Sequence, residues 1–166
     1  MISVRLATPD DARAIAEVHV ATWRGAYAHA FPAEVLESLS VDERERLWAR
    51  TVASDEFTVY VAQTGRVVGF VSVGPSREAD GEGELYAIYV EPSSWGAGAG
   101  PALMRAALDR LAERFASAIL WVLEDNPRAR RFYEREGWVL DGERIDVVRG
   151  VEVAEVRYRV SGLDRR

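Results

Sequence analysis

The sequence predicts an α/β domain built as a mixed, mostly antiparallel twisted sheet flanked by helices. Three observations lead there. The first third repeats apolar residues at helical spacing, three β-like runs follow with turns between them, and the last third alternates helix with strand. With 166 residues and 48% hydrophobic composition the chain can enclose one core, and nothing in its length asks for a second, so residues 1–166 are read as a single domain.

The opening run VRLA, residues 4–7, reads as a short strand. Thr8, Pro9, Asp10 and Asp11 then form a helix start signal, and Ala12, Ile15, Ala16 and His19 recur on one face of a helix that continues toward Trp23 and Tyr27. After Pro32, AEVLESL gives a second helix. Ser40 opens a third with the capping box SVDE before Leu47 and Trp48. FTVYVAQ, VVGFVSVG and ELYAIYVE are rich in branched and aromatic residues and read as a meander, turned at Thr64-Gly65-Arg66 and across READGEGE. A helix is expected from about Pro101 to Phe115, a strand at 118–123, a helix at 127–136, then GWVLDGE and a last strand VEVAEVRYRV.

Composition narrows the function classes. The net charge of -6 argues against nucleic acid, whose phosphates need clustered cations, and suits a cationic amine better. No apolar run reaches the roughly 20 residues of a bilayer span, and MISVRLATPDD lacks the basic-then-apolar pattern of a leader, so a cytoplasmic place is expected. The absence of cysteine removes disulfides, thiolate metal sites and thiol nucleophiles, and His19 and His29 alone cannot make a histidine-rich metal site. All 21 basic residues are arginine, a pattern that genomic composition explains.

The sharpest local feature is VEPSSWGAGAGPALMRAALDRL. A strand ends at Pro92, three alternating glycines follow, and a helix begins. Gly96, Gly98 and Gly100 can adopt positive φ and lack Cβ, so a bulky anion can reach the main chain, where the helix dipole adds positive charge. A diphosphate fits such a nest; a plain structural turn is the competing reading. The loop lacks the Gly-Lys-Ser/Thr end of a P-loop, and a preceding meander is not the dinucleotide βαβ context, which leaves coenzyme A as the better candidate.

Together GELYAIYVEPSSW, GAGAG with its helix, and EDNPRARRFYEREGW resemble the GCN5-related N-acetyltransferase superfamily, in that order and spacing. The resemblance covers 59–138 well and the N-terminal helices more loosely. It implies the acyl-CoA N-acyltransferase fold, acetyl-CoA as acyl donor, and direct transfer to a primary amine of a small molecule or peptide. A silent acyl-CoA-binding module and a transferase of longer acyl chains are the alternatives. The family's loop pattern, Gln/Arg-x-x-Gly-x-Gly/Ala, falls on Trp95, Gly96, Ala97, Gly98, Ala99 and Gly100. Trp95 departs from it, and Pro101 removes one amide from the first turn; a lost charge-assisted phosphate contact costs about 1.5–3 kcal/mol.

Other roles follow from the resemblance. Glu84 falls on the position of a general base, with a solvated strand-end glutamate as the plain reading and Glu82 or strand carbonyls as rivals. Tyr133 falls on a tyrosine that protonates the departing thiolate, and an aromatic core pair with Phe132 is equally compatible. Asn126, before Pro127, is an N-cap by its local sequence and a pantetheine or phosphate contact by resemblance. The backbone of Ile88, Tyr89 and Val90 is expected to pair with pantetheine amides where the strand splays from its neighbour. Trp23, Tyr27 and Tyr86, with Trp48 beside them, fall near the acceptor, where cation–π attraction suits an amine and core packing is the plain alternative. The two histidines read as helix-face residues. A homodimer is expected to form through the apolar strand VEVAEVRYRV.

Overall fold

A computed structural model describes residues 1–166. Seven strands form one sheet in the order β1-β2-β3-β4-β5-β7-β6, where β1 is Ser3–Leu6, β2 Thr58–Gln63, β3 Val67–Pro75, β4 Gly83–Val90, β5 Ala118–Leu123, β6 Val139–Val148 and β7 Val151–Val160. All pairings are antiparallel except β4 with β5. The expected mixed sheet flanked by helices is therefore present.

Helix α1 (Ala12–Ala26) packs with α3 (Val41–Ala53) over one face. There Ile15, Ala16 and Val18 meet Trp48, Val61 and Phe70. The short α2 (Ala33–Glu37) closes the same side near Tyr27 and Phe31. Helix α4 (Ala99–Ala112) lies on the other face with α5 (Pro127–Arg135), burying Leu103, Met104, Ala107 and Leu111 against β2, β3 and β4 residues. The capping box forms as expected, with Ser40 Oγ accepting from Glu43 N at 3.2 Å. Arg5 holds Asp11 through both terminal guanidinium nitrogens, and Asp11 accepts from Thr8 N at 2.8 Å, which fixes the entry to α1.

Several expectations change. Helix α4 begins two residues early, at Ala99, because Gly98 takes a left-handed φ of 95° and serves as its N-cap. Strands β6 and β7 form one long hairpin. Arg149 and Gly150 turn it with φ of 50° and 80°, the paired positive values of a type I′ turn. Strand β7, the proposed dimer edge, lies between β5 and β6 with both sides paired. It has no free ladder to offer. The edge on that side is β6, which exposes Val139, Leu140, Ile145 and Val147. Trp48 sits in the core against Phe70, away from any opening. No helix is long and apolar enough to cross a membrane.

His19 is a core residue too. Its Nδ1 accepts from Trp48 Nε1 at 3.1 Å, and Trp23, Phe70 and Tyr89 surround the ring. Burial, with Arg44 and Arg149 adding repulsion, lowers its pKa from 6.5 to about 3. Below pH 6.5 the unfolded chain takes up a proton that the folded chain refuses, so this stability is complete above 6.5 and is lost as pH falls. Between pH 8 and pH 5 the wild type should lose about 2 kcal/mol more than His19→Gln in urea unfolding. Equal pH slopes would remove the buried neutral histidine from the account.

Candidate functional site

The site begins with one unpaired residue. Ser72 of β3 pairs with Ala87 and Val73 pairs with Leu85, which leaves Tyr86 as an extra residue in β4. Such a bulge bends the strand and sharpens its twist. Parallel pairing of β4 with β5 is limited to Gly83 with Ala118 and Glu84 with Ile119. Beyond that point the strands part. Residues 85–90 line one wall of a cleft of about 680 Å³, and Trp121, Val122 and Leu123 line the other.

At one end of the cleft lie Gly96, Gly98, Ala99, Gly100 and Pro101. None of the five successive amides from Gly96 to Gly100 donates to a protein acceptor. Gly96 and Gly98 have φ of 83° and 95°, and no atom lies within 4 Å of the position a Cβ would take at either. Five free N–H groups at the start of a 14-residue helix make an anion cradle. The residues present therefore fit a diphosphate. The side chain of Ala97 is exposed and does not line the cleft, and that of Ala99 is buried in the core; only their amides are available.

Trp95 folds back so that its Nε1 donates to Val90 O at 2.8 Å, and the Arg128 guanidinium stacks 3.9 Å from its ring centroid. Arg128, Arg131 and Arg135 of α5 all line the cleft. Sequence reasoning overlooked these arginines. Their spacing on a short arginine-rich helix that starts beside the loop was the available signal. Ile88, Tyr89 and Val90 line the cleft as expected, with the Val90 carbonyl already engaged by Trp95. Asn126 both caps α5, accepting from Ala129 N at 3.2 Å, and lines the cleft beside Tyr27.

Tyr133 lines the cleft and is 7% exposed, its ring against Phe132, Trp138 and Tyr158. Burial pushes its phenol well up, with neighbouring Tyr89 adding to the shift, so it stays protonated throughout the neutral range. The core reading and the cleft reading are both satisfied. Trp23 and Tyr27 line the cleft as well. Trp23 Nε1 donates to Tyr89 Oη at 3.1 Å, and the Trp23 ring meets Tyr27 edge-on at 4.9 Å between centroids. Tyr86 lines the wall near Arg77, its hydroxyl donating to Pro75 O, and burial with the nearby Glu84 raises its phenol. His29 ties the end of this region to the β5–α5 loop, with Nε2 2.6 Å from Asp125 O.

Glu84 is placed elsewhere. It is 1% exposed and does not line the cleft, and its oxygens accept from Arg77 N at 3.0 Å and Arg77 Nε at 3.2 Å, with Nη2 close by. A carboxylate so engaged and facing no open volume does not fit the expected base. Its rival Glu82 is tied to Ser117 and Arg159, also outside the cleft. The carboxylates that do line the cleft are Asp146 and Glu155, on the β6–β7 hairpin, with Arg144. Sequence reasoning missed them because the hairpin's register, which brings Arg144 opposite Glu155, is a non-local feature. Thr22 of α1 was missed as well; it lines the cleft with its buried hydroxyl unpartnered.

Comparison with known proteins gives the family and the fold. The model of the acetyltransferase (GNAT) family matches residues 13–138. The uncharacterized N-acetyltransferase YuaI of Bacillus subtilis (strain 168) is 38% identical over 98% of this chain and 92% of its own length. A probable N-acetyltransferase of Mycobacterium tuberculosis is 27% identical over 96% of this chain and 93% of its own. Among solved structures, the PaiA N-acetyltransferase of Thermoplasma acidophilum in complex with coenzyme A superposes with a TM-score of 0.77 at 17% identity, covering 97% of this chain and 99% of that one. YncA of Salmonella typhimurium with acetyl-CoA gives 0.77 at 20% identity over 100% and 96%. These two share the fold. With the family model spanning most of its length and a close relative along nearly all of it, the chain belongs to the acetyltransferase (GNAT) family.

Proposed function

We propose that the whole chain acts as one catalytic unit that moves the acetyl group of acetyl-CoA directly to a primary amine of a small molecule or peptide. The observation that carries this is the row of five unpartnered amides, Gly96 to Gly100, at the mouth of a cleft opened by the strand split. A diphosphate on those amides leaves the pantetheine arm to run between the strands, along the backbone of Ile88 to Val90. With no cysteine in the chain, an acyl-thioester on the enzyme is excluded, which favours direct attack by the amine. Tyr133 is the acid candidate within the cleft: its phenol holds its proton through burial and can hydrogen-bond to the sulfur as charge builds there. Trp23, Tyr27 and Tyr86 supply aromatic faces that suit an alkylammonium.

Arg128, stacked on Trp95, stands in for the charged side chain that Trp95 replaces. Removing it by Arg128→Ala should weaken coenzyme A binding about ten- to a hundredfold in calorimetry, the worth of one charge-assisted contact. Unchanged affinity would assign the arginine to the surface alone.

The reading is tested by thiol release across a panel of primary amines with acetyl-, propionyl- and succinyl-CoA. Turnover with acetyl-CoA and at least one amine is expected. Tight coenzyme A binding with no turnover anywhere would favour a silent binding module. A homodimer assembled by strand pairing through the C-terminal hairpin has β6 as its edge, and light scattering after size exclusion checks it; a strict monomer removes the idea.

A further inference from the structure

We propose that Glu155, paired with Asp146 on the β6–β7 hairpin, receives the acceptor's ammonium group and takes its proton, an assignment that rests on the N-acetyltransferase reading above. Glu155 stands opposite Leu123, the last residue of β5, and opposite Arg144 of β6. Its side chain is 13% exposed and lines the cleft. Oε1 accepts from Arg144 Nε at 2.8 Å, while Oε2 accepts from no guanidinium or amide. Asp146, two residues beyond Arg144 on the same face of β6, shares that guanidinium at 3.5 Å. Two carboxylates thus divide one cation, with an aromatic wall beside them.

The charged and titratable groups facing Glu155 are few. Arg144 and Asp146 come from β6, Tyr89 from β4, and Glu78 of the β3–β4 loop reaches Arg144 at 3.9 Å. Arg77, the other guanidinium on this side of the cleft, is already neutralised by Glu84. Burial raises the Glu155 carboxyl from its ordinary value despite Arg144, and Asp146 pushes the same way. A base so raised accepts an amine proton more readily than an ordinary glutamate.

The proton count closes. An ammonium loses two N–H protons on becoming an amide. The first passes to Glu155 Oε2 and then to water, freeing the lone pair that attacks the thioester carbon. The C–S bond breaks, the sulfur takes the proton of Tyr133 Oη, and the second N–H proton replaces it on that oxygen.

The test uses the full chain and the amine of the panel turned over fastest. Glu155→Gln should lower kcat/KM by about 10² or more and abolish the acid limb of its pH profile, with coenzyme A affinity unchanged; Glu155→Asp should restore part of both. Asp146→Asn should raise KM more than it lowers kcat. Glu155→Gln within about twofold of wild type, or with the same acid limb, overturns the assignment. If no amine is turned over, carboxyl-labelled glutamate decides by NMR. The Glu155 resonance, assigned by its loss in Glu155→Gln, must titrate above the ordinary glutamate value and shift on addition of benzylammonium chloride; a resonance that fails either overturns the proposal. Failure of coenzyme A to bind would instead sink the transferase reading and leave this carboxyl shift in place.

Discussion

Tyr133→Phe is expected to lower turnover by about 10² or more while coenzyme A binds as before. The ring packs against Phe132, Trp138 and Tyr158, and a phenylalanine keeps all of that contact. Only the hydroxyl is lost. That hydroxyl makes no hydrogen bond to another protein group, so its removal strands no buried partner and the fold should hold. Because burial lifts the phenol well above its ordinary value, full transfer of its proton to a free thiolate runs uphill. The hydroxyl can act only while the attacking nitrogen returns a proton in the same event. A variant with wild-type turnover would make Tyr133 a packing residue and leave the leaving group to water.

Gly98→Asp should reduce coenzyme A affinity by at least about a hundredfold, the cost of exchanging an attractive charged contact for a repulsive one. The position makes the experiment clean. Gly98 is the N-cap of α4 and has no atom within 4 Å of an added Cβ, so aspartate meets no neighbour, and the backbone strain that φ of 95° imposes on any L residue is shared by an asparagine control. Aspartate tolerates left-handed φ better than most residues and is favoured at an N-cap, so the helix should survive. Its carboxylate, however, occupies the place of the incoming diphosphate and competes for the free amides. Gly98→Asn, of equal size but uncharged, should bind coenzyme A more tightly than Gly98→Asp. Calorimetry on both variants separates charge from shape, and equal affinity for both would remove the electrostatic argument.

The architecture was largely legible because its elements announce themselves locally. Ser40 with Glu43 and Asn126 before Pro127 each satisfy backbone groups within a few residues, and the glycines at 96, 98 and 100 mark their turn by composition alone. The glycine-rich end of the cleft was legible too, because its turn is written in adjacent residues. What escaped was set by register and packing between distant segments. Glu84 belongs to the motif, yet Arg77, from within the β3–β4 loop, folds back on it and takes its oxygens. Glu155 and Asp146 enter the cleft only because a hairpin of two ten-residue strands folds back at Arg149 and Gly150. The strand that looked like an exposed edge, VEVAEVRYRV, is internal because β6 is longer than its GWVLDGE opening suggested and covers its far side. Neither strand order nor the one-residue slip at Tyr86 leaves a trace in hydrophobic periodicity.

That slip gives the molecule its mouth. A chain lacking Tyr86 would resume an even ladder from Gly69 to Pro75 along its neighbour, with no local bend to carry residues 87–90 away from β5. The two halves of the sheet could then zip together past Ile119, and the cleft would be spent on ordinary interstrand bonds. Capacity to bind here is a deliberately unfinished seam, kept open by a single supernumerary residue.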